Sequence, residues 1–448
     1  MEGVVELRRS LAGSVIEPAD PEYDAARRCY NALIDRRPAV IARCASAVDV
    51  ATALDFAHAQ ELEVAVRGGG HNPAGHCVCD DGLVIDLSTM RSVTVDPDAR
   101  LARDEGGATW LDFDTATQAF GLAAPGGIVG STGVAGLTFG GGIGHLTSQH
   151  GLTCDNLVRA ELVTPSGAVV VASEEDDAEL LWGLRGGGGN FGVATALTLC
   201  LQPVERVAGG RLLYRGVDGV RDALRRIRDI TVEAPRDLSI QAEIGLDQSL
   251  TPILSVLPCS TGPSGDAAIG TLRSLPGLGD DGIRTHGFLD QQRVSDPPYG
   301  VNRAYWKGHF VRELPDELID ELLGEVGSFG RPSVGILIES LHGAPKDAEP
   351  ASAALGYRDA AFNVSAMPGW QDPLLDEEHI AWARRATSAM EPWSFSGGYA
   401  NYMPADEPLE RVRSAFGDEP FGRLQALKSR LDPDNVLRRN QNIPPLQA

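Results

Sequence analysis

The segment VAVRGGGHNPAGHCVCDDGLVIDLS at residues 64–88 decides the fold. Its apolar start, 64–66, predicts a short buried strand, and a second strand-like run follows at 83–87. Between them lies the turn Arg67-Gly68-Gly69-Gly70-His71. Glycine permits positive φ and lets backbone N–H groups approach an anion without an intervening Cβ. Because residues 48–61 before this segment have apolar residues at helical spacing, an α/β unit with a ligand-binding turn is predicted.

Two further glycine clusters occupy residues 140–144 and 185–192. The second contains a formal GxGxxG at Gly187, Gly189 and Gly192, but helix-like residues precede it and a β-branched strand follows. A Rossmann fingerprint requires the opposite order, and no lysine follows a glycine as a Walker A loop requires. The three clusters therefore favour a large ligand, such as a dinucleotide, held by backbone donors on an α+β scaffold.

The periodicity of the remaining chain predicts three parts, with boundaries at 1–205, 206–395 and 396–448. In the first part, strands are expected at 92–96, 101–105, 160–164, 169–173 and 193–201, and helices at 109–120 and 178–184. In the second, strands are expected at 212–214, 238–245, 252–257 and 334–340, and helices at 217–232, 264–274, 315–328 and 376–390. The third is predicted to contain a strand-like 397–403 and a helix at 419–431, which ends in a tail that contains NQNI.

Composition excludes several classes of function. The formal net charge is −23, and only three of the 39 basic residues are lysines, so the surface would repel nucleic acid. No apolar run of about eighteen residues exists, which argues against a membrane span, and no signal peptide is recognised, so a cytoplasmic location is expected. The seven scattered cysteines favour reduced thiols, and their spacing predicts no metal site.

The glycine clusters, with IARCASAVDVATAL at 41–54 and LLWGLRGGGGNFGV at 180–193, resemble the p-cresol-methylhydroxylase/vanillyl-alcohol-oxidase flavoproteins. GGGIGHLTSQHGLTCDNL at 140–157 and NQNI at 440–443 place the resemblance in the berberine-bridge-enzyme-like branch. The resemblance implies an α+β fold. It comprises a PCMH-type FAD-binding domain of two α/β subdomains, a substrate domain whose antiparallel sheet is covered by helices, and a C-terminal segment that returns to the FAD domain.

The resemblance implies that His71 carries FAD covalently. An imidazole nitrogen is nucleophilic enough for such a bond, and the attached imidazole strengthens the flavin as an oxidant. Val129 stands where some relatives have a second, cysteinyl attachment, so a single bond is expected. Backbone donors at residues 68–70, 72, 133 and 142 are expected to hold the pyrophosphate, and Gly69→Val is expected to block it.

The full set of expected cofactor contacts combines these turns with the other two clusters and the tail. It consists of Arg67, Gly68, Gly69, Gly70, His71, Asn72, Gly75, His76, Thr132, Gly133, Gly136, Leu137, Gly141, Gly142, Gly144, Asp155, Asn156, Gly189, Asn190, Phe191, Gly192, Val193, Asn440 and Asn442.

The resemblance also implies a base on the substrate side. Tyr402 is favoured from the segment Tyr399-Ala400-Asn401-Tyr402, which, if extended, would place its two tyrosines on opposite faces. Glu339 and His342 are the next candidates, as base or orienting group. A phenol is a poor base at neutral pH unless a nearby cation lowers its pKa, and Lys307 or His342 could supply that charge.

The sequence thus predicts an FAD-linked oxidase that moves hydride from a C–H beside O or N to flavin N5, with O2 as acceptor. A dehydrogenase with another acceptor, or a flavin-binding protein without turnover, remains open. The expected partners are a small substrate and O2, and the chain is expected to be a monomer or homodimer. An aromatic or polyketide-like substrate is suggested by the aromatic residues of the second part, which are Phe288, Tyr299, Tyr305, Trp306, Phe310, Phe362 and Trp393.

Overall fold

The computed structural model describes residues 3–233 and 235–446 as a mixed α+β protein. The helices are α1 Val4–Ser10, α2 Tyr23–Ala26, α3 Ala47–Ala59, α4 Trp110–Gln118, α5 Val134–Phe139, α6 Thr147–His150, α7 Ala178–Leu184, α8 Val217–Glu233, α9 Pro263–Arg273, α10 Phe288–Gln292, α11 Asp316–Phe329, α12 Asp376–Met390, α13 Leu409–Phe416 and α14 Asp418–Leu431. No helix within these described ranges is both long and apolar enough to cross a bilayer.

The strands before residue 205 are β1 Ser14–Ile16, β2 Val40–Arg43, β3 Val64–Arg67, β4 Leu83–Asp86, β5 Val93–Asp96, β6 Leu101–Glu105, β7 Leu122–Ala123, β8 Leu157–Val163, β9 Val169–Ala172, β10 Val193–Cys200 and β11 Gln202–Pro203. Those after it are β12 Arg206–Gly209, β13 Leu212–Arg215, β14 Leu238–Leu246, β15 Pro252–Ser260, β16 Leu278–Asp281, β17 Arg284–Gly287, β18 Arg303–Ala304, β19 Lys307–Val311, β20 Gly335–Ser340, β21 Phe362–Ala366, β22 Gly369–Trp370 and β23 Ser394–Ser396.

Residues 64–88 form strands β4 and β3 of a four-stranded sheet in the order β1-β2-β4-β3, with β3 at one edge. Strand β4 runs parallel to both β2 and β3. Because all three strands point the same way, the chain must cross over the sheet between them. Helix α3 supplies the crossover from β2 to β3, and the Ser46 side chain caps it by accepting a hydrogen bond from the Asp49 N–H. The turn after β3 therefore leaves the carboxyl end of a buried parallel strand, as residues 64–88 predict.

A second sheet, in the order β5-β6-β10-β8-β9, is antiparallel throughout. Helix α7 precedes the glycine run at 186–192 and strand β10 follows it, so the order predicted from sequence is confirmed. The N-terminus of a long helix therefore does not meet this loop, and any anion there would have to bind to turn N–H groups.

The large sheet has ten strands, and its central order is β13-β15-β14-β20-β21-β19. Helices α8, α9, α11 and α12 share one buried apolar cluster with its outer face, which includes Ile240 and Ile338. Gln241, Glu339 and Asn363 lie opposite one another on adjacent strands and point to the other face, because side chains alternate along a strand. The expected helix-covered antiparallel sheet is confirmed.

The segment 397–403 is not a strand, so that prediction was wrong. Ala400–Tyr402 forms a 3₁₀ turn, closed by a hydrogen bond from Tyr402 N–H to the Tyr399 carbonyl at 2.8 Å. Two glycines before the turn and Pro404 after it disfavour a strand. The Asn401 side chain fixes the turn by donating to the Leu137 carbonyl at 3.0 Å. Helix α13, which follows, has no counterpart in the sequence-based prediction.

The last helix joins the C-terminal tail to the glycine run through a buried ion pair. Lys428 and Asp432 are both 0% exposed, and their charged atoms are 2.6 Å apart. The Lys428 ammonium also donates to the carbonyls of Asn190 and Leu437, each at 3.0 Å. Since a buried ammonium must have its donors satisfied, this contact fixes the tail against the loop at 186–192.

We expect Lys428→Met to lower the free energy of unfolding by about 3–5 kcal/mol, because it leaves the Asp432 carboxylate buried without its counter-ion. Lys346→Met is the control, since Lys346 is exposed and a surface lysine contributes about 0–1 kcal/mol. Urea titrations followed by circular dichroism measure both. Equal stability of the two variants would show that the buried pair does not hold the tail.

Candidate functional site

One cleft brings together the three glycine clusters, the C-terminal tail, Trp306 and the turn at 399–402. The expected cofactor contacts that line it are Gly68, Gly69, Gly70, His71, Asn72, His76, Thr132, Gly133, Gly136, Leu137, Gly189, Gly192 and Asn440. The expected contacts that are not part of its described lining are Arg67, Gly75, Gly141, Gly142, Gly144, Asp155, Asn156, Asn190, Phe191, Val193 and Asn442.

Several residues of the second set are engaged in the fold. The Asp155 carboxylate pairs with Arg358 at 2.6 Å, and the Asn156 amide donates to the His150 and Leu152 carbonyls. The Gly142 N–H, expected to face the pyrophosphate, donates to the Tyr399 hydroxyl at 2.9 Å. Because their hydrogen-bonding atoms are already occupied, these groups hold the structure around the cleft together.

The space where a Gly69 side chain would lie is filled by the backbone of Gly133, not by the cleft. A Cβ placed on Gly69 would lie 2.4 Å from the Gly133 nitrogen, and one on Gly133 would lie 2.6 Å from the Gly69 nitrogen. The expectation that Gly69→Val acts by blocking a phosphate is therefore corrected, since valine would first collide with the Gly133 backbone.

Gly136 and Gly189 behave differently. A Cβ on either would meet no atom within 4 Å, and both residues line the cleft. A side chain at these positions would occupy the cleft itself. The cleft wall is thus a cradle that depends on missing side chains, and such a wall fits a bulky anionic ligand bound by backbone donors.

His71 presents an unused nitrogen to this cradle. Its ring stacks on Tyr30 with 3.8 Å between centroids, and its Nε2 atom is buried without a hydrogen-bond partner among the described residues. Burial lowers the pKa of His71 to about 4, so the ring is neutral at pH 7. A neutral imidazole with a free lone pair is a nucleophile, and the residues present fit the expected flavin attachment.

Two other side chains near His71 bear on the number of attachments. Val129 lines the cleft, as its place in the sequence suggests, and Cys77 lines it as well. A hydrogen bond with Cys29, together with burial, raises the pKa of Cys77 well above its ordinary value. Because the thiolate is the reactive form, Cys77 remains a weak nucleophile.

Tyr402 lines the same cleft, and Glu339, which is not part of the lining, contacts its hydroxyl. The Tyr402 hydroxyl donates to Glu339 Oε1 at 3.3 Å, and the Asn363 amide donates to Oε2 at 2.7 Å. Burial raises the pKa of Glu339 to about 7. Burial, reinforced by the charge of Glu339, raises the pKa of Tyr402 well above its ordinary value. Of these two residues, Glu339 is therefore the one whose pKa lies near neutral pH and whose side chain can accept a proton there.

The cation expected beside Tyr402 is not supplied by the two residues named for it. Lys307 pairs with Glu407 at 2.5 Å. His342 is not part of the described cleft lining, and its Nε2 faces the Pro235 carbonyl at 3.2 Å. The proposed faces of the 399–402 segment are also corrected, because the 3₁₀ turn brings the Tyr399 and Tyr402 rings into edge contact at 4.7 Å.

Residues that the sequence did not single out complete the site. Asn363 binds the carboxyl, and Tyr30 stacks on His71. Of the aromatic residues considered for the substrate, Trp306 lines the cleft and touches Tyr402 edge-on at 5.4 Å, whereas Phe288, Phe310 and Phe362 are buried in the core. The alternation in FNVSA at 362–366 was an available signal for Asn363, but its partner strand lies far along the chain.

Comparisons with known proteins agree with this geometry. The FAD binding domain family model matches residues 38–173, and the Berberine and berberine like model matches residues 398–444. (R)-6-hydroxynicotine oxidase of Paenarthrobacter nicotinovorans is 32% identical over 456 residues, which cover 97% of both chains.

Solved structures share the whole fold. The crystal structure of 6-hydroxy-D-nicotine oxidase from Arthrobacter nicotinovorans is 29% identical and superposes with a TM-score of 0.88, covering 98% of this chain and 99% of that one. Berberine bridge enzyme from Eschscholzia californica is 20% identical with a TM-score of 0.87, covering 99% of each chain, and this similarity concerns the fold alone. The chain therefore belongs to the FAD-linked oxidoreductases that combine a PCMH-type FAD-binding domain with a berberine-like C-terminal segment.

Proposed function

We propose that the protein is an FAD-dependent oxidase that removes hydride from a C–H next to O or N of a small planar substrate, with O2 as acceptor and H2O2 as product. One observation carries this proposal: the unpartnered Nε2 of His71 and the hydroxyl-bearing Tyr402, which contacts the Glu339 carboxyl, belong to the same cleft. FAD supplies the hydride acceptor at N5, and the chain supplies position, a dry environment and a proton acceptor.

His71 is proposed to hold FAD through one covalent bond. With FAD bound, a ring nitrogen of His71 would bond to the 8α carbon of the flavin, with the loss of one hydrogen from each partner. These two hydrogens would leave as two electrons and two protons, which dioxygen would take up to give H2O2. The low pKa of His71 keeps the ring deprotonated for this reaction at neutral pH.

Glu339 is proposed as the final proton acceptor, reached through Tyr402. The substrate O–H or N–H would donate to the Tyr402 oxygen while the Tyr402 proton passes to Glu339 Oε1. This route follows from the two pKa directions, since a carboxyl poised near pH 7 is a competent base and a buried phenol with a raised pKa is not. Asn363 holds Oε2 and the Gln241 amide donates to Oε1 at 3.4 Å, so the carboxyl is fixed with Oε1 at the Tyr402 hydroxyl.

Trp306 supports a planar substrate, because its ring and that of Tyr402 stand edge to face at the cleft wall and such surfaces favour flat apolar groups. A dehydrogenase with another acceptor would use the same residues. A flavin-binding protein without turnover would have no use for the Glu339–Tyr402 contact, which therefore favours an enzyme.

Gly136→Leu is expected to reduce FAD occupancy at least about tenfold, because its side chain enters the cradle while helix α5 gains by losing a glycine. The matched control is Gly324→Leu, since Gly324 is also a helical glycine with no atom near its Cβ position but is outside the cleft lining. The ratio of flavin absorbance at about 450 nm to protein absorbance at about 280 nm measures occupancy. Full occupancy in Gly136→Leu would exclude FAD from this wall.

His71→Ala is expected to bind FAD reversibly and to lose the covalent flavin, and it should oxidise substrate more slowly because the attached imidazole raises the flavin's oxidising power. His76→Ala is the control: His76 lines the same cleft, its Nε2 is also buried without a hydrogen-bond partner among the described residues, and its pKa is also lowered to about 4 by burial. Acid precipitation followed by peptide mass spectrometry decides between them. Flavin on Cys77, or a colourless wild-type pellet, would contradict the assignment.

Glu339→Gln is expected to lower the rate of substrate-dependent flavin reduction by about 10²–10⁴, the usual contribution of a positioned base. In the parent protein this rate should rise with pH through about 7, because the carboxyl accepts a proton only in its charged form. In Glu339→Gln that rise should vanish. Anaerobic stopped-flow spectroscopy with a panel of alcohols, cyclic amines and aromatic hydroxy compounds provides the measurement.

The companion variant Tyr402→Phe separates the two residues. An equal loss supports transfer through the tyrosine, whereas an almost unchanged rate means that Glu339 acts directly. If neither variant slows reduction, the proposed proton acceptor is wrong. Admitting air to the reduced protein then tests the acceptor, since an oxidase regains its visible spectrum and releases peroxide, and a dehydrogenase stays reduced.

A further inference from the structure

The segment between α10 and β18, residues 293–302, reaches from the large-sheet domain onto two walls of the cleft, and we name it the clamp segment. The Asp296 carboxylate accepts a hydrogen bond from the Gly130 N–H at 2.7 Å, next to Val129. The Tyr299 hydroxyl lies 3.2 Å from the carbonyl oxygens of both Gly69 and Gly70, to which it donates. One short segment therefore contacts both turns that flank the expected attachment point.

Tyr299 acts on the residue immediately before His71. Gly70 has φ +66°, and a Cβ there would lie 2.5 Å from the Tyr299 oxygen, so glycine is required both by the backbone and by the approaching hydroxyl. The Gly70 carbonyl also accepts the Tyr30 N–H at 2.9 Å. Two tyrosines from separate parts of the chain thus converge on one peptide group.

Tyr30 extends this arrangement to the imidazole. Its ring stacks on His71, and its carbonyl accepts the Gly300 N–H of the clamp segment at 3.1 Å. The Arg67 guanidinium, which donates to the Ala26 carbonyl, also reaches the Tyr299 oxygen at 3.4 Å. His71 is therefore held from its backbone by Tyr299 and from its ring face by Tyr30, so the clamp segment supplies the first support and contacts the second.

We propose that Tyr299 is a positioning residue for flavin attachment: its hydroxyl fixes the Gly69–Gly70 turn so that the His71 nitrogen would meet the 8α carbon. This inference rests on the proposed covalent role of His71. Tyr299 exchanges no atoms in the step, in which a C–N bond forms and two electrons and two protons pass to dioxygen. Its contribution is geometric, and a misplacement of about 1 Å can cost about 10²-fold in rate.

The test compares Tyr299→Phe with the parent protein, each produced under riboflavin limitation and then mixed with FAD in air. Tyr299→Phe should bind FAD with an affinity within about threefold of the parent, because backbone donors at other positions remain, yet attach it about 10–100-fold more slowly. Fluorescence of the protein band in denaturing gels gives the covalent fraction over time, and quenching of free FAD gives the binding.

Tyr214→Phe is the matched control. Its hydroxyl also donates to a backbone carbonyl, that of Leu272 at 2.8 Å, in the buried core of the same domain and outside the cleft lining. It removes a comparable hydrogen bond without touching the His71 turn, so its attachment rate should equal that of the parent. Slowing in both variants would reduce the role of Tyr299 to general stability and overturn the proposal.

Two further outcomes are distinguishable. If the parent itself carries no covalent flavin, the proposed function of His71 fails, whereas normal attachment in Tyr299→Phe overturns the positioning role alone. Should Tyr299→Phe not fold, Asp296→Ala provides the second variant, because it removes the acceptor of the Gly130 N–H and leaves the His71 turn intact. Slower attachment in Asp296→Ala supports the proposal, and an unchanged rate contradicts it.

Discussion

The contact between the backbones of Gly69 and Gly133 is the constraint on which the site depends. Each glycine stands where a Cβ would overlap the other's nitrogen, at 2.4 and 2.6 Å, so the two turns meet only because both lack side chains. This contact joins the turn after β3 to the segment before α5. Because the two backbones lie so close together, the cleft presents peptide groups to its ligand. Backbone N–H donors suit a protein that has three lysines and a net charge of −23.

The buried Lys428–Asp432 pair completes the enclosure from the other side. The Asn190 side chain, next to the Lys428 contact, donates to the Gly187 and Gln441 carbonyls and accepts the Ile443 N–H. One polar network therefore fixes both the loop at 186–192 and the C-terminal tail. Such a network contributes specificity of position more than stability, since the desolvation of two charges offsets much of their attraction.

Much of the fold could be predicted from local patterns, because helices α3, α8 and α11 and strands β4, β6 and β10 have clear periodicity. The sequence failed where contacts are distant. Strands β19 and β21 pair inside the large sheet with neighbours far along the chain, and the 399–402 turn is fixed by Leu137. Similarly, glycine content predicted the cleft, but only the structure separates Gly69, which packs, from Gly136, which is open. Strand register likewise places Glu339 between Gln241 and Asn363, and only the fold brings the turn at 399–402 to it.

A single physical effect tunes the two titratable groups on which the proposed chemistry depends. Removal from water disfavours charge, so it lowers the pKa of His71 to about 4 and raises that of Glu339 to about 7. The histidine thereby becomes a neutral nucleophile, and the carboxyl becomes a base that can change state near neutral pH. Neither shift needs a dedicated counter-ion, which explains why the expected cation beside Tyr402 is unnecessary. Both depend on the burial of these side chains: the Tyr30 ring covers His71, and Asn363 and Tyr402 enclose the Glu339 carboxyl, so the packing that buries these groups also sets their chemistry.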